Sequence, residues 1–275
     1  MTNQPLLVIE AGRIEGQYWR DLWRFRELFL FLAWRDILVR YKQTVIGIAW
    51  ALVRPLLTMI VFTVVFGRIA KLPSDGVPYP LLVFAAMLPW QFFANSLAEA
   101  GNSLIGNANL VSKIYFPRLI IPASSVITSF VDFLISLVLM AALMAWYRVV
   151  PGVRVLALPA FMTIAFAAST GAGLWLAALN VKYRDFRYIV PFIVQFGLYV
   201  SPVGFSSAVV PQKWRLLYSL NPMVGVIDGM RWSLLGGQTQ LDMRVLTVSA
   251  VFTGILFLSG IRYFRKTERT FADVI

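Results

Sequence analysis

The sequence contains no cysteine and no histidine. Disulfides and thiolate metal sites need cysteine, and a Ser-His-Asp triad needs histidine, so all three are excluded and no metal site is predicted. A phosphate-binding loop of the G-x-x-x-x-G-K-[ST] type is also missing. The acidic residues are few and scattered singly, which argues against an enzyme that uses paired carboxylates. The sequence therefore predicts no catalytic residue and no cofactor bound by this chain.

Negative charge is scarce as well. The 275 residues include 13 Asp and Glu against 25 Lys and Arg, which gives a net charge of +12, while 59% of the residues are apolar. In a soluble protein such a charge would indicate a nucleic-acid partner. In so apolar a chain the better explanation is that basic residues are retained on one side of a bilayer. The predicted fold class is an all-α membrane protein without a nucleic-acid partner.

A spanning helix needs about 20 mostly apolar residues, and six stretches meet or approach this length. Segments on one side of these spans hold about twice as many Lys and Arg as those on the other, which predicts that both termini are cytoplasmic. The expected organisation is a cytoplasmic N-terminal segment (1–44), a transmembrane domain (45–264) and a cytoplasmic tail (265–275). The predicted spans are 46–67, 80–98, 124–147, 155–179, 189–210 and 245–264.

Two segments depart from a plain six-helix bundle. Residues 17–42 place aromatic and basic residues at helical spacing, which predicts an amphipathic helix lying in the membrane interface. The alternative, an ordinary solvated helix, is disfavoured by so many aromatic residues. Residues 221–237 are too polar to cross a membrane and too apolar for a free loop, so short re-entrant, gate or surface-lying helices are expected between spans five and six.

Two charged residues, Arg54 and Asp132, fall inside predicted spans at similar depth. Because intramembrane charges rarely stay unpaired, one hypothesis is that they neutralise one another between spans one and three. The alternative is that Arg54 extends to lipid headgroups and Asp132 faces water.

Aromatic residues recur on two spans. Those on span five follow helical spacing, and those on span two are clustered. Such residues usually pack in a core, but rings that face a water-filled path can stack on sugar faces. The candidates for a glycan path are Trp90, Phe92, Phe93, Phe192, Phe196 and Tyr199.

Six segments in this order resemble the permease subunits of type 2 ABC transporters that export polysaccharides, such as the O-antigen, capsule and teichoic-acid exporters. The segments are RYKQTVIGIAWALVRPLL (40–57), LPWQFFANSL (88–97), NANLVSKIYFPRLIIP (107–122), LNVKYRDFRYIVPF (179–192), SPVGF (201–205) and YSLNPMVGVIDGMRW (218–232). Each is weak alone, but together they cover nearly the whole chain.

The resemblance implies a multi-pass permease of the bacterial cytoplasmic (inner) membrane that forms a homodimer. Two separate ATPase subunits would hold ATP and Mg²⁺, and the cargo would be a polyprenyl-pyrophosphate-linked glycan. Residues implied to contact the ATPase are Asn107, Asn109, Leu110, Val111, Lys113, Tyr115, Phe116 and Arg118. Those of the outer gate are Pro202, Phe205, Asn221 and Pro222. The interface helix, with residues expected to bind membrane lipid or the lipid head, contains Trp19, Arg20, Trp23, Arg24, Arg26 and Arg40.

Other functions remain open at this stage. One alternative is a type 2 exporter of a small drug or lipid, and another is a stand-alone membrane enzyme or ion-coupled carrier, for which only Asp132 is a titratable candidate. If 107–118 is the ATPase contact, disruption of 111–116 is expected to leave the permease folded and abolish export.

Overall fold

The computed structural model describes residues 15–42, 45–183, 185–236 and 241–271. The first 14 residues of the predicted N-terminal segment and the last four of the predicted tail lie outside the described residues. Within them the chain forms helices joined by turns, with no strand. The helices are α1 (Glu15–Arg24), α2 (Arg26–Lys42), α3 (Val45–Phe62), α4 (Tyr79–Gly106), α5 (Ala108–Lys113), α6 (Ile120–Trp146), α7 (Leu158–Lys182), α8 (Phe186–Val200), α9 (Gln212–Tyr218), α10 (Pro222–Leu235) and α11 (Met243–Thr267).

Five helical segments are long and apolar enough to cross a membrane. They contain α3 with the π-helical turn that follows it, then α4, α6, α7 and α11. The protein is therefore a multi-pass helical membrane protein. The spans are Leu52–Ile69, Tyr79–Gly106, Ile120–Trp146, Val153–Lys182 and Met243–Thr270.

The predicted fifth span is shorter than expected. Helix α8 has 15 residues, which at about 1.5 Å per residue is roughly 22 Å, less than the roughly 30 Å of a bilayer core. It ends at Val200 because Ser201 precedes Pro202, and a residue before proline is disfavoured in helical conformation. Ser201 is accordingly extended, with φ −81° and ψ 152°.

The predicted helix over 17–42 is present as α1 and α2, with a turn at Phe25. The break is slight, because the Phe25 amide still donates to the Asp21 carbonyl (2.9 Å) and the Phe29 amide to the Phe25 carbonyl (3.1 Å). The aromatic side chains of α1 and α2 lie on two sides, one packed on the bundle and one exposed. Phe25 and Phe29 pack on the protein, whereas Trp23 is exposed.

Helix α4 occupies the centre of the bundle and contacts α3, α6, α7, α8 and α10. Small residues allow its neighbours to approach closely, as is common in membrane helices. A Cβ atom on Gly173 of α7 would lie 2.8 Å from Ala100 of α4. A Cβ on Gly260 of α11 would lie 2.4 Å from the Gly171 carbonyl oxygen of α7. Both crossings therefore depend on glycine.

The bundle has two ends, named here for the short helices found there. At the α10 end α4, α7 and α11 begin, and α9 and α10 lie beside them. At the α5 end α4, α7 and α11 finish, α6 begins, and side chains of α1 and α2 join one buried apolar cluster with them. The short helices predicted after span five are thus present as α9 and α10.

Candidate functional sites

The α5 segment, residues 107–118, connects α4 to α6. Asn107 ends α4, where its Nδ2 donates to the Ser103 carbonyl (2.9 Å). Its Oδ1 accepts from the Arg35 guanidinium of α2 (3.0 Å), so α2 contacts the start of α5 directly. After α5, the chain passes through Pro117 before α6 begins. Proline has no backbone N–H to donate, so it interrupts the hydrogen bonding of a helix. The segment is therefore a defined structure rather than a free loop.

The predicted ATPase-contact residues divide into two faces. Val111 and Phe116 are 2% and 4% exposed and belong to the buried cluster of the α5 end, with Leu110 partly buried against it. Asn109 and Lys113 are exposed, and so are Ile114 and Tyr115, at 54% and 56%. The burial of Val111 and Phe116 argues against the expectation that disruption of 111–116 leaves the fold intact, so we expect changes at these two residues to cost stability. Only the exposed edge, defined as Asn109, Ser112, Lys113, Ile114 and Tyr115, is open to a partner.

The predicted contact residue Arg118 is engaged within the chain. Its amide donates to Glu268 Oε1 (2.6 Å), and its guanidinium donates to the Glu268 carbonyl. The Tyr18 hydroxyl donates to Glu268 Oε2 (2.9 Å). Burial, together with the Glu268 carboxylate, raises the pKa of Tyr18 above its ordinary value. This contact fastens α1, the start of α6 and the end of α11 to one another.

A second ionic cluster joins α2 to α4 and α6. The Arg40 guanidinium lies 2.6 Å from Glu99 and 3.0 Å from Asp132. The Tyr41 hydroxyl also donates to Asp132, and the Ser129 hydroxyl donates to Glu99 (3.2 Å). Burial and the bond to Asp132 raise the pKa of Tyr41. Two carboxylates thus share one guanidinium.

The hypothesis that Arg54 pairs with Asp132 is wrong in its partner. The Asp132 carboxylate is bound by Arg40 and Tyr41 of α2, whereas Arg54 is exposed and forms no ion pair among the described residues. Helix α2 packs along α6 and places its basic end beside the carboxylate. Similar depth along two spans does not reveal that a third helix, α2, supplies the partner of the carboxylate.

Residues predicted to face lipid fall into two groups. Trp19, Arg20, Trp23, Arg24 and Arg26 are exposed. The Arg26 guanidinium lies 5.5 Å from the ring of Trp23. Arg40 differs, since it is partly buried and bound by two carboxylates as described above.

The aromatic residues predicted to line a glycan path also fall into two groups, those on α8 and those on α4. Phe192, Phe196 and Tyr199 of α8 are 66%, 59% and 59% exposed, and the first two rings stack at 6.0 Å. Tyr188, four residues before Phe192, is 78% exposed and extends this stripe; the same helical spacing could have revealed it.

The candidates on α4 are placed differently. Trp90 and Phe92 are 4% and 1% exposed, and Phe92 packs among the rings of α6 and α7. Phe93 is partly buried. The prediction that Trp90 and Phe92 line a path is therefore wrong for this conformation.

At the α10 end, a buried arginine holds the predicted gate region. Arg231 of α10 is 1% exposed and donates to three carbonyl oxygens: those of Leu82 (3.0 Å), Val203 (3.1 Å) and Phe205 (2.9 Å). Burial lowers its pKa to about 10. Arg231 lies in the segment 221–237, whose polarity argues against a span, and no pattern in the sequence indicates its carbonyl partners.

The other predicted gate residues surround this anchor. Asn221 accepts from the Met223 amide (3.0 Å) to begin α10, and donates to the Ser201 hydroxyl (2.9 Å). Pro222 follows at the first helical position, where its missing N–H costs nothing. Pro202 and Pro222 are buried, and Phe205 and Asn221 are partly buried. The segment from Ser201 to α10 is therefore held as one unit.

These features define a multi-pass helical membrane protein with two structured ends, and among the described residues no group of three or more acidic side chains is arranged to hold a metal ion. The chain belongs to the ABC-2 type transporter family, whose family model matches residues 27–235. It is similar to the O-antigen export system permease protein RfbA of Klebsiella pneumoniae, with 26% identity over 90% of this chain and 95% of the relative. The protein of the same name from Myxococcus xanthus is also 26% identical, over 93% of this chain and 98% of the relative.

Proposed function

We propose that this chain is the transmembrane subunit of an ATP-driven exporter that moves a lipid-linked polysaccharide across the bacterial cytoplasmic membrane. The observation that carries the proposal is the similarity to O-antigen export permeases along 95% and 98% of their length. A similarity over 90% and 93% of this chain includes most of the spans together with the α9–α10 region. The exposed aromatic residues of α8 provide surfaces on which sugar rings can stack.

In this proposal the α5 end faces the cytoplasm. Lys113, Arg118 and Lys182 lie there with the basic last turn of α11, in agreement with the tendency of basic residues to remain inside. Both termini are then cytoplasmic, and α8 with the turn after it serves as a sixth crossing. Helices α1 and α2 would lie at the cytoplasmic membrane interface, with Trp19 and Trp23 toward lipid. Arg20, Arg24 and Arg26 are the candidates for binding an anionic lipid head.

The exposed edge of the α5 segment is the proposed contact with a separate ATPase subunit. The chain has no phosphate-binding loop of its own, so ATP and Mg²⁺ would be held by that partner. Apolar Ile114 and aromatic Tyr115 next to Lys113 form a small mixed surface of the kind that anchors interfaces. The proposed assembly contains two copies of this chain and two ATPase subunits. Phe192, Phe196 and Tyr199 would line the path between the copies, and α9 and α10 would gate its outer end.

The test is a deletion of the gene in its host, followed by measurement of the surface polysaccharide and of the lipid-linked glycan left inside the cell. We expect the surface polymer to disappear and the lipid-linked form to accumulate, with both reversed by the wild-type gene. Normal surface polymer, with a defect confined to resistance to small drugs or to lipid transport, would instead support an exporter of small amphiphiles and refute the proposal.

A further inference from the structure

A polar cleft of about 250 Å³ opens at the α10 end, between α9, α10, the beginning of α11 and the turn before α4. Three carboxylates line it, from Asp75, Asp228 and Asp242, each on a different segment. Hydroxyl groups and the Arg215 guanidinium complete its polar lining, and the exposed Ala208 contributes apolar surface. The cleft combines acceptors, donors and apolar surface, which is the composition of a small-ligand site.

Hydrogen bonds to groups outside the cleft or along its rim hold its polar groups in place. Ser206 donates to Asp75 Oδ2 (2.6 Å), and the Tyr218 hydroxyl donates to the Val200 carbonyl (2.7 Å). The Arg215 guanidinium donates to the Ala208 carbonyl (3.1 Å), and Asp242 accepts from the Arg244 amide in the first turn of α11 (2.9 Å). A carboxylate has about four acceptor sites, so these bonds leave acceptor capacity on Asp75 and Asp242. The groups are therefore ordered before any ligand arrives, which lowers the entropic cost of binding.

The size and charge of the cleft restrict the ligand. A volume of about 250 Å³ is below the roughly 300–1,000 Å³ of pockets for drug-sized ligands, and therefore suits a single ring. Three carboxylates against one guanidinium make the lining acidic, although burial raises the pKa of Asp228 to about 6. An acidic lining repels anionic ligands and accepts hydrogen bonds from hydroxyl and ammonium groups.

We infer that this cleft binds one neutral or amino-bearing hexose ring and rejects uronic acids. The inference rests on the proposed function, since it gives the exported polymer a contact outside the membrane-spanning helices. It also specifies the class of sugar, which similarity to other permeases does not. Ring hydroxyls would donate to the carboxylates of Asp75 and Asp242, while the C–H face of the ring would lie on Ala208.

The test is saturation-transfer NMR on the purified full-length permease, in a detergent without a sugar headgroup so that no detergent competes. The probes are methyl glucoside, methyl galactoside, methyl mannoside, glucosamine and glucuronate. We expect transfer to at least one neutral or amino sugar and none to glucuronate. Absence of transfer to every neutral and amino probe, or any transfer to glucuronate comparable to that of a neutral sugar, would overturn the inference.

Two neighbours on one exposed turn provide matched variants. Ala208 lines the cleft and Val209 does not, so Ala208→Trp should fill the cleft and abolish the signal while Val209→Trp leaves it unchanged. Equal signals in the two variants would place the sugar elsewhere and refute the site. Gel filtration and thermal unfolding establish that both variants are folded.

A third variant tests the charge argument independently of shape. Asp75→Asn keeps an oxygen for the Ser206 hydroxyl and removes one negative charge, so glucuronate transfer should rise relative to the neutral sugars. No change in this ratio would refute the proposed selectivity. Because binding is measured without an ATPase and without transport, its failure is separate from failure of the proposed function, which the surface-polymer assay measures.

Discussion

The Arg40 cluster allows the sharpest test of how α2 is attached to the bundle. In Arg40→Gln the guanidinium that lies 2.6 Å from Glu99 and 3.0 Å from Asp132 is removed. The two carboxylates then remain close together with only hydroxyl partners, from Ser129 and Tyr41. The variant should therefore be destabilised both by lost attraction and by the repulsion that remains.

The magnitude follows from distance and exposure. Unit charges about 3 Å apart attract by roughly 5 kcal/mol at an effective dielectric constant near 20, before the cost of desolvation. Side-chain exposures of 33% for Arg40, 32% for Glu99 and 16% for Asp132 place the cluster between surface and interior. Exposed pairs contribute up to about 1 kcal/mol, and breaking buried pairs costs about 3–5 kcal/mol. We expect Arg40→Gln to lower the free energy of unfolding by about 2 kcal/mol.

The assay is equilibrium unfolding in mixed micelles with increasing denaturing detergent. Adding Glu99→Gln to Arg40→Gln should recover part of the loss, because it removes one of the two repelling charges. The Arg40/Asp132 double-mutant cycle should give a coupling of about 1–3 kcal/mol. Arg24→Gln, on the exposed neighbouring helix, is the matched control and should change stability by less than about 0.5 kcal/mol.

Arg54 supplies the result that would refute this reasoning. Because it forms no ion pair among the described residues, its cycle with Asp132 should show coupling near zero. If Arg54 coupled to Asp132 more strongly than Arg40 does, the assignment of the cluster to α2 would be wrong.

Four further predictions concern other parts of the chain. Tyr115→Ala should abolish export and stimulated ATPase activity with unchanged unfolding, whereas Phe116→Ala should lose about 3–5 kcal/mol of stability. Arg231→Met leaves three carbonyls without their donor, each worth about 1–3 kcal/mol, so thermal unfolding should show a large loss. Phe196→Ala should slow export of polymer and leave the unfolding curve unchanged; a normal export rate would remove this ring from the path. Burial raises the pKa of Asp228 from 3.8 to about 6, so the folded state binds the proton more tightly than the unfolded state. The free energy of unfolding should therefore rise as pH falls from about 6 to 4. In Asp228→Asn this rise in stability should be absent.

Hydropathy and length predict most of the spans, because both are local properties of the chain. The same properties overestimated the fifth span, since the apolar run continues past Pro202 while the helix stops at Val200. Four of residues 201–205 are buried at the α10 end, which accounts for their apolar character as well as a membrane location does. Composition alone does not separate these two reasons for being apolar.

Side-chain partners were harder to predict than helices. Trp90 and Phe196 are both aromatic residues in apolar helices, yet the first is 4% exposed and the second 59%. The difference arises because α4 is surrounded by α3, α6, α7, α8 and α10, whereas α8 contacts the bundle on one side. Asp132 likewise pairs according to which helix packs beside it. Such neighbours are set by tertiary packing between residues distant in sequence, and a single sequence contains no direct record of it.

The contacts at the α5 end determine how a force applied there would be distributed. A partner that presses on Ile114 and Tyr115 presses on a segment whose opposite face, at Val111 and Phe116, is buried in the cluster shared with α2, α4, α6, α7 and α11. The polar contacts of Asn107 with α2 and of Arg118 with the end of α11 fasten both ends of this segment. Packed helices move in discrete steps rather than by continuous deformation, so the segment cannot shift without moving α4 and α6 together. The exposed edge is therefore suited to transmit a displacement to the spans, and the buried face is what makes the transmission rigid.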